Sequence, residues 1–228
     1  MKKLTTLLVA MLFTAGMAFA QSNDATIDQV GDDHDATITQ AGSMNGAYVE
    51  QTADAGREGS DVGTATIEQT GSENSVNLRQ RAFFGDAEAL IVQLGDRNRV
   101  EGTAPGNDFL QNHGLNIIDV YMEGDDNVLY SLSSEAQKNV NTLLLDIQGN
   151  TNEVGLFQHF GYGEVDLVGD ANDVVLSQRA GGTSTEQTAY VDVLGSNNMV
   201  DIFQTGDSHV SNVNVTGDFN TSTISQTN

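Results

Sequence analysis

The chain has 228 residues, with 32 Asp and Glu against 9 Lys and Arg, a formal net charge of −23. That excess of carboxylates makes nucleic acid and anionic membrane surfaces poor partners, so no nucleic-acid role is expected. Cysteine is absent, which excludes a disulfide scaffold, zinc knuckles and thiol catalysis; 24 glycines, one proline and no tryptophan suit a repetitive β structure.

Residues 1–20 read as a secretory signal peptide. Lys2 and Lys3 precede an apolar run from Leu4 to Phe13, and Ala18 and Ala20 frame a small-x-small cleavage site before Gln21. The run is short for a bilayer span. The expected product is one repeat domain over residues 21–228, secreted to the extracellular space or cell surface, with a charge of about −25 once Lys2 and Lys3 are gone.

From Ala25 onward the chain repeats itself. Ala25, Ile27 and Gln29 return as Ala36, Ile38 and Gln40, and again as Ala47, Val49 and Gln51, a period of eleven. The pattern recurs at Ala65, Ile67 and Gln69, at Val76, Leu78 and Gln80, and at Ala89, Ile91 and Gln93. Near the C-terminus Gln204, Val215 and Gln226 keep the same spacing. Between arms stands a tetrapeptide Gly-[Asp/Ser/Asn]-x-[Asn/His], starting at Gly31, Gly42, Gly71, Gly95, Gly124, Gly149, Gly169, Gly195, Gly206 and Gly217.

Within each arm the residues alternate with period two, which argues strand. Asn45, Ala47, Val49 and Gln51 share one face, apolar or amide, and that face is expected inside. Gly supplies the positive φ of each bend, while Asn and Asp tolerate the left-handed region, so each tetrapeptide reads as a strand-to-strand turn. Two arms make a coil of 22 residues (2 × 11), and stacked coils make an all-β fold, a β-solenoid. About eighteen arms give about nine coils, a stack on the order of 40 Å tall. Inward Gln is tolerable because identical amides one rung apart bond each other, as in cross-β assemblies.

The second half varies the theme, its Gln slot running Ile147, Gln158, Leu167, Gln178, Val193, Gln204, Val215, Gln226. One side of the coil is expected to be drier there. Breaks in the period at 52–63, 81–88, 102–110, 134–140, 159–163 and 180–188 read as loops outside the stack, and Pro105 falls in one of them.

The segment Gln-x-Gly-x-x-Asn-x-[Ala/Val]-x-[Ile/Leu]-x-Gln, read at Gln40 to Gln51 and Gln69 to Gln80, resembles the curlin repeat of bacterial curli fibre subunits, over nearly the whole mature chain. The resemblance implies a secreted structural subunit that stacks into a β-solenoid and polymerises end to end into extracellular amyloid fibres of the biofilm matrix. It implies partners as well: further copies of itself, a second curlin-like subunit, and an outer-membrane export and assembly machinery. By motif position it assigns internal ladders to Gln29, Gln40, Gln51, Gln69, Gln80, Gln93, Gln158, Gln178, Gln204 and Gln226. With them go Asn45, Asn74, Asn98, Asn127, Asn152, Asn172, Asn198 and Asn220. The family's Gly- and Asn-rich targeting segment is missing before the first arm at Ala25, which leaves the export route open. The many interrupted repeats leave a nucleating or accessory role open beside that of main subunit, and a monomeric adhesin that binds through its insertions is the rival from another class.

Other chemistry has little to stand on. Asp32, Asp33 and Asp35 around His34, and Asp125 with Asp126, match neither an EF-hand nor the calcium nonapeptide, so no metal site and no cofactor are expected. His34 and His209 occupy the Asn slot of a turn. The aspartates recur in turns instead of converging on a cleft, so enzymatic activity is not expected. An arm begins close behind Gln21 and another runs almost to Asn228, so uncapped, adhesive ends are expected.

Overall fold

The computed structural model describes residues 22–53, 62–82, 85–104, 106–112, 114–181 and 187–228. The signal segment 1–20, Phe83, Phe84, Pro105, His113 and most of the insertions 52–63 and 180–188 lie outside the described residues. Within them are seventeen strands and no helix: β1 (Asp24–Val30), β2 (Asp35–Ser43), β3 (Gly46–Ala53), β4 (Gly63–Ser72), β5 (Ser75–Ala82), β6 (Ala87–Leu94), β7 (Arg99–Glu101), β8 (Phe109–Asn112), β9 (Asn116–Glu123), β10 (Val128–Ser131), β11 (Gln137–Gln148), β12 (Glu153–Val168), β13 (Asp173–Ala180), β14 (Gln187–Leu194), β15 (Met199–Gly206), β16 (Val210–Thr216) and β17 (Thr221–Thr227).

Each arm hydrogen-bonds in parallel to the arm one coil further on, so the chain winds round a shared core and builds two facing walls. The first wall is β1, β3, β5, β7 with β8, β10 with the start of β11, the first half of β12, β13, β15 and β17, nine rungs. The second wall is β2, β4, β6, β9, the rest of β11, the rest of β12, β14 and β16, eight rungs. This is the all-β solenoid that the repeat implied, half a coil short of the nine coils expected.

Register is set by the period-two pattern, because a slip of one residue would turn every inward side chain outward. On the second wall Ile38, Ile67, Ile91, Val120, Leu145, Val165, Val191 and Val213 fall in one column. Burial rises away from the ends: Ile27 in the first rung is 44% exposed, whereas Val49 directly above it is 0% exposed.

Three insertions behave differently from the loops expected. The 102–110 insertion ends early, because β8 re-enters the stack with Phe109 opposite Leu78, filling an aliphatic slot with a fully buried ring. The 134–140 insertion likewise returns Gln137 to the wall opposite Gln158. At 159–163 there is no loop outside the stack: β12 runs round the corner as one strand, with Phe160 at φ 56° making the bend.

Candidate functional site: stacked amides and the two end rungs

The inward Gln of the first wall form one unbroken chain of side-chain hydrogen bonds. Gln29 Nε2 donates to Gln51 Oε1 at 2.7 Å, Gln51 to Gln80 at 2.8 Å, Gln80 to Gln111 at 2.9 Å and Gln111 to Gln137 at 3.2 Å. Gln137 donates to Gln158, Gln158 to Gln178 and Gln178 to Gln204, each at 2.9 Å, and Gln204 to Gln226 at 2.8 Å. From Gln51 onward the second N–H of each amide pins the facing wall: Gln51 donates to Asp35 O, Gln158 to Thr142 O, Gln178 to Tyr162 O and Gln204 to Thr188 O. Both donors and the carbonyl of each interior Gln are thereby satisfied, which removes the roughly 1–3 kcal/mol penalty of a buried unpaired amide.

The second wall separates Gln40, Gln69 and Gln93 from that chain. They form a short ladder of their own, Gln40 to Gln69 at 2.8 Å and Gln69 to Gln93 at 2.9 Å, whose last amide faces the Met122 sulfur at 4.0 Å. Beyond Met122 the same column continues as Ile147, Leu167, Val193 and Val215. The alternation of amide and aliphatic residues in the sequence is thus the two walls read in turn.

The corner leading into the first wall carries two more ladders. Asn45, Asn74, Asn98, Asn127, Asn152, Asn172, Asn198 and Asn220 are stacked there, and each accepting Oδ1 takes the backbone N–H of the next Asn in the row. Most of their Nδ2 groups donate to a corner glycine carbonyl one coil on, as Asn74 does to Gly95 O at 2.7 Å. Beside them the Asp, Ser and Asn that follow the glycines run the other way: Ser72 N–H donates to Asp96 Oδ1, Asp96 N–H to Asp125 Oδ1, Asp125 N–H to Asn150 Oδ1 and Asn150 N–H to Asp170 Oδ1. These carboxylates are turn acceptors.

Gly42, Gly71, Gly95, Gly124, Gly149, Gly169, Gly195 and Gly217 line this one corner, all at positive φ. A Cβ on Gly149 would collide with the Gly169 carbonyl oxygen. Gly31 and Gly206 belong to the opposite corner. There His34 and His209 replace Asn, each ring Nε2 lying within 3.2 Å of the carbonyl of Val30 or Thr205, and His34 Nδ1 accepts the Gly63 N–H.

Sequence reading missed three members of the first-wall Gln row and of the Asn row beside it. Asn23 opens the Asn row by accepting the Asn45 N–H. Gln111 and Gln137 were hidden because insertions inside their arms displace them from the Asn slot: Asn45 and Gln51 are six apart, Asn98 and Gln111 thirteen, Asn127 and Gln137 ten. Phe109 two residues before Gln111 keeps the apolar-x-Gln signature, whereas nothing local marks Gln137.

Outward positions concentrate negative charge. Asp146, Asp166 and Asp192 are successive rungs of one outer column. Burial, then Glu164, Asp146 and Asp192, push the Asp166 carboxyl above the usual range. Among the described residues no group of three or more His, Asp or Glu is placed to hold a metal ion, and no helix is long and apolar enough to cross a membrane.

Among the described residues, the end rungs differ from all others in having a stacked neighbour on one side alone. β1 pairs with β3 and β2 with β4, while β17 pairs with β15 and β16 with β14. The Gln chain gives these ends opposite polarity: Gln29 offers its Oε1, and Gln226, whose Nε2 donates to Val210 O, offers its second N–H.

No curated protein and no solved structure matches the chain. A family model does, the curlin associated repeat, over residues 20–52 and 195–227. Those segments span both end rungs of the first wall, and the chain is therefore a carrier of the curlin associated repeat at both ends of its solenoid, consistent with a curlin repeat family protein.

Proposed function

We propose that the protein is a secreted structural subunit of a curli-like extracellular amyloid fibre, with no catalytic residues, that polymerises end to end through its terminal coils into the biofilm matrix. One observation carries this reading: amide ladders that leave acceptors, the Oε1 of Gln29 and of Gln40, at one end of the solenoid and a donor, the Gln226 amide, at the other. The bonds that hold coil to coil inside the molecule are the ones a second copy would supply, and open sheet edges are templates for further strands. The matched repeats at both ends support the same reading. Signal cleavage after Ala20, export through an outer-membrane machinery and a companion curlin-like subunit belong to the proposal. The high negative charge keeps fibres apart sideways, so growth is axial.

The test is assembly of the purified protein. Fibres visible by electron microscopy, with a meridional reflection at about 4.8 Å, are expected. A protein that stays monomeric at all concentrations, and binds a surface partner in that state, would establish the adhesin reading in its place.

A further inference from the structure

We infer that successive copies in the fibre are related by a half-turn about its long axis, β1 of the incoming copy docking on β16 and its β2 on β17. This deepens the fibre reading just given and rests on it. Among the described residues the first wall has nine rungs and the second eight, so β17 has no rung beside it on the second wall. A copy added in the same orientation would set β1 on β17 and leave the second wall with an unfilled rung between β16 and the incoming β2. That vacancy spans two rung spacings, about 9.6 Å, too far for backbone hydrogen bonds. A copy turned by half a revolution fills the vacancy with β1, and the coil continues without a break.

The end coils are built for this exchange of walls. A half-turn swaps the two corners, so both corners of each terminal coil have to be tight. They are: Gly31 to His34 and Gly206 to His209 are four-residue turns on the insertion-bearing corner, matching Gly42 to Asn45 and Gly217 to Asn220 on the other. Between them, in the interior of the stack, the same corner carries the insertions at 52–63, 81–88 and 180–188. The unbroken period of eleven thus occurs where the arms must be interchangeable.

The contacts on β17 fit side chain by side chain. Aligned on the Gln slot, Ile38 of the incoming copy stacks on Ile224 and Gln40 on Gln226, so the second N–H of Gln226 meets the Oε1 of Gln40, which accepts no ladder bond among the described residues. On the other wall Ile27 stacks on Val213 and Asp28 faces the neutral Asn214, while Gln29 stacks on Val215, so the first-wall Gln row ends there as the second-wall row ends at Met122, and at the corner Asp32 falls over Asp218.

Absence of native cysteine makes disulfide trapping clean. Adjacent rungs are about 4.8 Å apart, within the Cα separation a disulfide spans, whereas opposite walls are about 10 Å apart and beyond it. Three double variants at exposed positions decide the matter, oxidised after assembly and run on non-reducing gels. Ser225→Cys with Thr39→Cys, and Asn214→Cys with Asp28→Cys, should each give a ladder of covalent multimers, while Ser225→Cys with Asp28→Cys should stay monomeric. Multimers from the third pair and none from the first two, or fibres in which no pair cross-links, would overturn the half-turn and leave fibre formation standing. Unmodified protein that forms no fibres would overturn both.

Discussion

The two walls of the solenoid are made by the same chain, in the same coils, yet one is filled by nine glutamines in a row and the other by three followed by a thioether and aliphatic residues. The difference teaches what a buried amide requires. A Gln in this slot is satisfied by the Gln below and the Gln above, so a ladder is stable only if it continues, and any interior end leaves a donor without an acceptor. The second wall ends its ladder where a soft, polarisable sulfur receives the last amide, and from there on carbon alone fills the column. The first-wall row runs from β1 to β17, so it presents an acceptor at one end rung and a donor at the other.

The largest effect should come from the element both walls share. Gly149→Ala places a side chain on a backbone at φ 133° and against the Gly169 carbonyl, and should cost about 4–5 kcal/mol in urea or thermal unfolding. Gly46→Ala, where nothing lies within 4 Å of the added methyl group, should be close to neutral. Next come paired substitutions in the two walls. Gln178→Glu buries a carboxylate between Gln158 and Gln204 and should cost about 3–4 kcal/mol at neutral pH. Gln178→Leu orphans the Gln158 donor and the Gln204 acceptor, removes the bond to Tyr162 O and should cost about 2–3 kcal/mol. Val193→Gln, the reverse change on the second wall between Leu167 and Val215, should cost about 1–2 kcal/mol. Equal and negligible shifts for the Gln178 variants would mean that the ladder does not hold the coils.

The smallest effect concerns the outer face. Because the folded protein holds the Asp166 carboxyl above its unfolded value, the folded state binds more protons between those two values, and this group's contribution to stability falls as pH rises through the folded pKa. Asp166→Asn should therefore stabilise at neutral pH by about 0.2–1 kcal/mol, the scale of a cross-strand charge pair, and the gain should vanish in acid. A gain that persisted below the pKa of an ordinary carboxylate would assign it to packing.

The fold was legible because its two signals are local and repeated. Alternation at Ala47, Val49 and Gln51 fixes the inward face, and the glycine tetrapeptide fixes the corners. The separation of Gln40, Gln69 and Gln93 from the longer ladder was not legible in the N-terminal half, where both walls carry Gln and the motif is the same in each. Gln111 and Gln137 were concealed for another reason: period counting measures distance along the chain, and an insertion inside an arm changes that distance without changing the rung. Their place follows only from the need of Gln80 and Gln158 for a continuous row between them.

The central claim is that these carboxamides are interior and bonded to one another, and side-chain hydrogen exchange reads this residue by residue. In the assembled protein the NH2 groups of Gln80, Gln158 and Gln178 should exchange orders of magnitude more slowly than that of Gln148, which lies exposed on the outer face. Exchange of all four at the same fast rate would contradict the account.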